Sequence, residues 1–240
     1  MDTTVPFTLS EDHLAFRQSV RTLARSRYAD SMLARSQSEK FPTAEFGELG
    51  DAGLLGLLIS ESAGGQGGDV LAVGIAVEEL AYADPAIAYL AFAANVSNAL
   101  LAKHGSDEVH QRWVTRGIAG EAVICLALTE PETGSDAANL STRAIRVDGG
   151  WTISGEKTSI TQAVHADVAI VVAQTNPGSG GKGMGMFLVD MSDPAVTTQS
   201  IRDPGFKPLG RGSIFFDDVF VPDSHVLGEI GRGFAMVMHE

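Results

Sequence analysis

The chain has 240 residues, 44% of them hydrophobic, 7% aromatic and 20% charged, which excludes a disordered chain and allows one or two domains with a sizeable core. Its net charge of −13, from 17 basic and 30 acidic residues, argues against a broad nucleic-acid or anionic-membrane surface and leaves any anionic ligand dependent on local cations.

Residues 1–6 lack the basic and apolar regions of a signal peptide, so a cytoplasmic location is the expectation. Leu9-Ser10-Glu11-Asp12 offers an N-cap with an acidic first turn, and Phe16, Val20, Leu23 and Ala24 then recur at helical spacing. Phe46 and Leu49 mark a second helical face, which Gly53 stops. Residues 60–69 read as a loop; Gly64-Gly65-Gln66-Gly67-Gly68 lacks the lysine and the helix of a phosphate-binding turn. Val70–Ala83 suits a helix, and Pro85 can open the next at its first turn. The apolar stretch 85–101 carries Asn95, Ser97 and Asn98, so it reads as a buried helix rather than a membrane span. Gly105-Ser106-Asp107 ends it and caps another that runs to about Gly117.

The period changes near Gly120. Residues 122–129 form a short apolar run around Cys125, the one cysteine, which reads as a buried hydrophobe and excludes an internal disulfide. Residues 141–147 alternate, and Asp148-Gly149-Gly150 turns them into 151–154, a hairpin signal. Runs at 168–175, 186–189, 196–201 and 214–221 complete a set of short strands, with a Gly-rich loop at 176–185. The fold class predicted is α+β: an N-terminal all-α helical domain (1–121), then an antiparallel β-sandwich or barrel domain (122–230), then residues 231–240 opening a further helix. The six histidines are scattered, so they are expected near the surface, and no His/Cys/Asp cluster has metal-site spacing. No Gly-x-Ser-x-Gly nucleophile turn occurs.

The chemistry-bearing stretch is Leu126-Ala127-Leu128-Thr129-Glu130-Pro131-Glu132-Thr133-Gly134-Ser135-Asp136. A strand that stops at Thr129 and breaks into a Gly-Ser-Asp turn leaves backbone N–H groups without ladder partners. Those donors, with the Thr129 and Ser135 hydroxyls, suit the polar edge of a ring or a phosphate. By the residues alone, Thr129 and Thr161 could equally be ordinary strand threonines, and Ser135 a cap of its own turn.

This string resembles the first signature of the acyl-CoA dehydrogenase family, and the resemblance extends over almost the whole chain. Gly155-Glu156-Lys157-Thr158-Ser159-Ile160-Thr161 and Phe216-Asp217-Asp218-Val219-Phe220-Val221-Pro222 are similar to further family segments. The resemblance implies FAD as cofactor and α,β-dehydrogenation of an acyl-CoA thioester in fatty acid metabolism. It implies flavin contacts from Leu126, the Leu128 backbone, Thr129, Gly134, Ser135, Ser159, Ile160 and Thr161. Thr161 would face the reacting nitrogen of the ring, and Ser135 would also border the thioester. Ser159 departs from the family, which often has an aromatic residue there, and Gly210-Arg211-Gly212-Ser213-Ile214 is a few residues shorter than usual. Family members continue into a C-terminal four-helix bundle that is absent from these 240 residues and carries the catalytic glutamate. No catalytic residue is therefore nominated; Glu130 falls at a structural position of the family. An electron-transfer flavoprotein or similar acceptor and a homo-oligomer, dimer or tetramer, are the implied partners. Left open are an acyl-carrier-protein thioester dehydrogenase, an oxidase or a flavin monooxygenase on the same fold, and a non-catalytic partner subunit.

Overall fold

The structure, a computed structural model, describes residues 8–239, so the leader reading of residues 1–6 and the position of Glu240 lie outside the described residues. Helix α1 (Glu11–Arg27) begins where Ser10 accepts the His13 N–H at 3.2 Å. After α2 (Met32–Ser36), α3 (Thr43–Asp51) ends before Gly53, whose φ of +73° turns the chain away. Helices α4 (Val70–Ala83) and α5 (Pro85–His104) are capped by aspartates: Asp69 accepts from Ala72 N–H, and Asp84 from Ala86 and Ile87 N–H. Among the described residues α5 is the one helix long and apolar enough to cross a membrane, and 67% of its apolar window is buried inside the fold. The next helical stretch is not uniform as expected. Between α6 (Asp107–Val109) and α7 (Thr115–Ile118) lies a π-helical turn, His110–Val114, that carries the buried Trp113 and Val114.

The strands are β1 (Ile124–Ala127), β2 (Arg143–Val147), β3 (Gly150–Ile160), β4 (Val168–Gln174), β5 (Met184–Asp190), β6 (Val196–Ser200), β7 (Gly212–Pro222) and β8 (Val226–Leu227). They form one sheet in the order β6-β7-β3-β2-β4-β5-β8, with β1 also on β4. Most pairs are antiparallel, as expected. Two are not: β1 runs parallel to β4, with Ile124 opposite Val168, and β2 touches β4 in parallel at Arg143 and Gln174. The β2–β3 hairpin serves as the crossover that lets β1 and β4 point the same way.

All seven residues of β4 are buried because both faces are covered. Val168, Ile170 and Val172 pack with Leu100, Val109, Trp113 and Ile124 toward the helices. Ala169, Val171 and Ala173 pack with Ile153, Phe187, Ile214 and Val219 within the sheet's own core. A two-sided burial produces the continuous apolar run read in the sequence. Helix α8 (Gly233–Met238) seats Met236 in the helix-side core.

Of the strand boundaries that differ from expectation, two have a cause in the neighbouring structure. Strand β2 starts at Arg143 because the Ser141 and Thr142 N–H groups go to the Glu130 carboxylate instead of to a ladder. Strand β3 continues well past Ser154, bulging twice along β7. Gly155, at φ +143°, permits the close crossing: a Cβ there would lie 2.8 Å from Thr142. The histidines also sit deeper than expected. Only His239 is exposed; His165 stacks near Phe41 with ring centres 5.4 Å apart, and burial lowers its pKa. Cys125 is buried, and burial pushes its thiol up to about 12.

Candidate functional site

Leu126 and Thr129, at the exit of β1, and Ser159, Ile160 and Thr161, at the end of β3, line one cavity of about 270 Å³. Its opposite wall is α5, which contributes Tyr89, Phe92, Ala93, Val96 and Ser97, and Gln162 completes the lining. The register explains the convergence. Strand β3 turns at its end through two residues of left-handed backbone, Ser159 (φ +59°) and Gln162 (φ +66°), so that four consecutive residues, 159–162, border the same space. That conformation is uncommon outside glycine and is held here by bonds from Gln162 N–H to the Leu209 carbonyl and from His165 and Ala166 N–H to the Gln162 carbonyl.

The cavity is walled by apolar and aromatic groups and carries no acidic, basic or imidazole side chain. Its polar side chains are Tyr89, Ser97, Thr129, Ser159, Thr161 and Gln162, and among the described residues all but Ser159 are without a hydrogen-bond partner. Unpaired polar groups in an apolar recess are what a planar heteroaromatic ring with polar edges would satisfy, so the residues present fit a flavin ring. The volume lies near the low end of ligand pockets, roughly 300 Å³, so it holds a ring or a short acyl group and not a whole dinucleotide. The Ser159 hydroxyl is engaged elsewhere. It accepts from Arg211 Nη1 at 3.1 Å, and the Arg211 Nε lies 3.3 Å from Asp203. Where an aromatic residue was the family expectation, a serine and an arginine stand instead.

Three predicted site residues lie outside this cavity. Leu128 is absent from the lining, and its carbonyl accepts Lys157 Nζ at 2.9 Å. Gly134 and Ser135 are exposed on the turn after the Glu130–Thr133 bridge. Two recesses of other composition flank the region. One involves Asn139, Ser141, Arg143 and Gln174, and the larger, about 510 Å³, lies around Arg202, Lys207 and Arg211; neither holds a predicted site residue.

Glu130 is not a base facing a ligand. Its fully buried carboxylate accepts Lys157 Nζ at 2.8 Å, Ser141 N–H at 2.6 Å, Ser141 Oγ at 2.7 Å and Thr142 N–H at 3.0 Å. Burial alone would raise its pKa, but the bonds from Lys157, Thr142 and Ser141 outweigh this and hold it at about 2. Lys157, fully buried and with two acceptors against the four donors on Glu130, bears the larger burial penalty and is lowered to about 8. The pair ties the β1 exit to β2 and β3. A second tie runs beside it, from Thr158 N–H to the Thr129 carbonyl at 2.9 Å.

Sequence reasoning missed Lys157, Arg211, Gln162 and the α5 wall. Gln162 adjoins Thr161, and Ser97 had been noted only as evidence against a membrane span, so both signals were present. Lys157 carried no such signal, because a lysine in a polar run reads as solvated. Among the described residues no group of His, Cys, Asp and Glu is placed to hold a metal ion.

Known proteins resemble the chain in sequence and fold. The family model of the acyl-CoA dehydrogenase N-terminal domain matches residues 10–121, and that of the middle domain matches residues 125–219. The mouse mitochondrial short-chain specific acyl-CoA dehydrogenase is 33% identical over 96% of the chain and 56% of its own length. A crystal structure of an acyl-CoA dehydrogenase from Geobacillus kaustophilus superposes with a TM-score of 0.89 at 27% identity, over 97% of this chain and 62% of that one. The structure of PigA with FAD and proline superposes at 0.92 with 25% identity, over 98% and 62%. The chain thus spans little more than half the length of the curated relatives it matches. With two consecutive domains of one family in order, the chain belongs to the acyl-CoA dehydrogenase family.

Proposed function

We propose that this chain forms the flavin-holding portion of an FAD-dependent acyl-CoA dehydrogenase acting on the α,β carbon–carbon bond of an acyl thioester. The observation that carries the reading is the α5–β3 cavity, where the Thr129 and Thr161 hydroxyls stand unpartnered between apolar walls. Bound FAD would supply the two-electron acceptor that the chain's own side chains lack. Thr129 and Thr161 orient the ring by hydrogen bonds, and Leu126 and Ile160 cover it and keep water out. Gly134 and Ser135, exposed on their turn, hold the cofactor's phosphates, with Ser135 also bordering the thioester. Ser159 contributes through its backbone, since its hydroxyl is bonded to Arg211.

The cavity has no acidic residue, so the base that removes the α-proton is assigned to polypeptide outside these 240 residues, where the relatives extend further. The remaining partners of the reading are an electron-transfer flavoprotein or similar acceptor and further copies of the chain, as a dimer or tetramer, in the cytoplasm. A second reading, a flavoenzyme of this fold with another substrate, is favoured by two observations. Ser159 and Arg211 replace the ring-packing aromatic, and a non-thioester ligand, proline, accompanies FAD in PigA at comparable similarity.

Purified full-length protein is expected to carry stoichiometric FAD whose visible band bleaches anaerobically with a short acyl-CoA. A colourless protein, or a flavin that no acyl-CoA bleaches, overturns the reading. Rapid oxygen consumption by the reduced enzyme selects the second.

A further inference from the structure

Strand β6 stands at one end of the sheet order and, among the described residues, pairs with β7 alone. Its register sets which backbone groups are free. Ile201 N–H donates to the Arg211 carbonyl at 2.8 Å, and Asp217 N–H to the Ala195 carbonyl at 3.0 Å. Bonded positions alternate in an antiparallel pair, so the odd-numbered residues of β6 face β7 and the even-numbered ones turn N–H and C=O outward. Val196 N–H is taken by the Asp193 carbonyl at 2.9 Å. Thr198 and Ser200 are left with donor and acceptor pointing away from the sheet and no other backbone partner among the described residues. Edge strands are commonly blunted by lysine, proline or a bulge. Val196-Thr197-Thr198-Gln199-Ser200 has none of these: its register along β7 is unbroken, and all but Val196 are exposed. The strand at the other end of the order, β8, is only two residues long.

The open edge runs into the recess of about 510 Å³, whose lining takes Ser200, Ile201 and Arg202 from the end of β6 and then Lys207 and Arg211. The recess does not neutralise its own cations. Asp203 is spent on Arg211 Nε, 3.3 Å away, and on the Gly205 and Phe206 N–H groups at 3.0 and 3.2 Å. Arg202 is exposed and has no hydrogen-bond or ion-pair partner among the described residues. Lys207 Nζ meets only a neutral group, Gln37 Oε1, at 3.4 Å. Glu39 is the one other acid in the lining. On a chain of net charge −13 this is a local cationic site.

We propose that β6 is a docking edge for an extended acidic segment of a partner protein, which adds a strand beside β6 and sets its carboxylates in the recess at Arg202 and Lys207. The two parts read different things. The outward groups of Thr198 and Ser200 pair with any extended backbone, and the unneutralised cations choose the sign of the charge beside it. A second copy of this chain is the poorer occupant. Outward groups must meet outward groups, so only registers that oppose even-numbered residues are open to two β6 strands. The symmetric one about Thr198 sets Asp203 opposite Asp193 and Arg202 opposite Pro194, which repels the acids and leaves both arginines without a carboxylate.

The test uses the full-length holoprotein and fluorescence anisotropy of labelled peptides. Asp-Glu-Val-Thr-Val-Thr-Val and its reversal, Val-Thr-Val-Thr-Val-Glu-Asp, cover both strand directions, and each has a counterpart with lysine in place of the acids. One acidic peptide should bind at least about tenfold more tightly than its lysine counterpart. Arg202→Glu with Lys207→Glu should reverse that preference. Thr198→Pro removes one outward donor and spares the bonds to β7, so the strand should fold, with flavin content unchanged, while the acidic peptide loses about tenfold in affinity. N-methylation of the peptide at the alternate positions that face β6 should abolish binding, and methylation at the positions between them should not; this reads strand pairing apart from charge and without any variant. Binding that survives both Thr198→Pro and every N-methylation reduces the site to a charged recess and overturns the proposal. So does the absence of binding by all four peptides, and so does self-association of the wild type that Thr198→Pro abolishes, which gives the edge to a second copy.

Discussion

Each half of the molecule buries a carboxylate against cations, and the two do different work. In the helical half, Glu79 of α4 accepts Arg17 Nε at 2.6 Å, and Arg21 Nε and Nη2 at 2.8 and 2.7 Å. The glutamate is almost fully buried, but both arginines stay about one-third exposed, at 32% and 34%. Their charged heads keep part of their hydration, so the cluster fastens α1 to α4 without a large burial penalty. In the sheet half, Glu130 and Lys157 are both fully enclosed, and the carboxylate is completed by the N–H groups of Ser141 and Thr142. A wholly enclosed pair is a weak source of net stability, because desolvation offsets the attraction. What it supplies is geometry. Lys157 fixes the Leu128 carbonyl one residue from Thr129, and Glu130 sets where β2 may begin. The helical pair is a fastener; the sheet pair is a template for the cavity's edge.

The comparison is broken most severely by Lys157→Met. It leaves the Glu130 charge enclosed without its cation and should destabilise the chain by about 3–5 kcal/mol, read as a lowered urea midpoint. Cavity geometry should fail with it, so flavin content should fall. Glu79→Gln should cost less, about 1–2 kcal/mol, because the arginines it strands can turn to water. Its flavin content should stay at the wild-type level. Equal losses of stability and of flavin in the two variants would erase the distinction between fastener and template.

The same contrast explains how much could be read from the sequence. Helix α4 was legible from the composition of residues 70–83, and α5 from Pro85 at its start and Gly105-Ser106-Asp107 after its end, because these are local signals at local positions. The β1 exit was legible because Thr129 and the turn after it form a contiguous string. The full length of β3 was not, since Gly155, Glu156 and Lys157 resemble a loop until β7 pairs with them. The site was legible on one wall only. Leu126, Thr129, Ser159, Ile160 and Thr161 border one cavity, while Leu128, Gly134 and Ser135 lie outside its lining. The α5 wall is set by tertiary packing. Nothing in the helix's own apolar run distinguishes Ser97, which faces the cavity, from Asn95 and Asn98, which bind the neighbouring loop.

The smallest expected effect sharpens the comparison through pH. Glu79 and Glu130 both titrate near 2 in the folded chain against an ordinary 4.5. A carboxylate depressed in this way contributes stability that is present above 4.5 and lost as the pH falls toward 2, so the acid limb does not separate the two regions. The alkaline limb does. Burial, only partly opposed by Glu130, lowers Lys157 from 10.5 to about 8. Between those values the unfolded chain still holds a proton that the folded chain has released, so the Lys157 contribution makes the folded state more stable as pH rises through the window. Arginine guanidinium groups remain charged over the same range, and the Glu79 cluster adds no such slope. Denaturation midpoints followed from about pH 7 to about pH 10 should therefore show a rising contribution that Glu79→Gln retains and Lys157→Met abolishes. A Lys157→Met profile parallel to that of the wild type would place the proton release at another group and remove Lys157 as the feature that sets the sheet half apart.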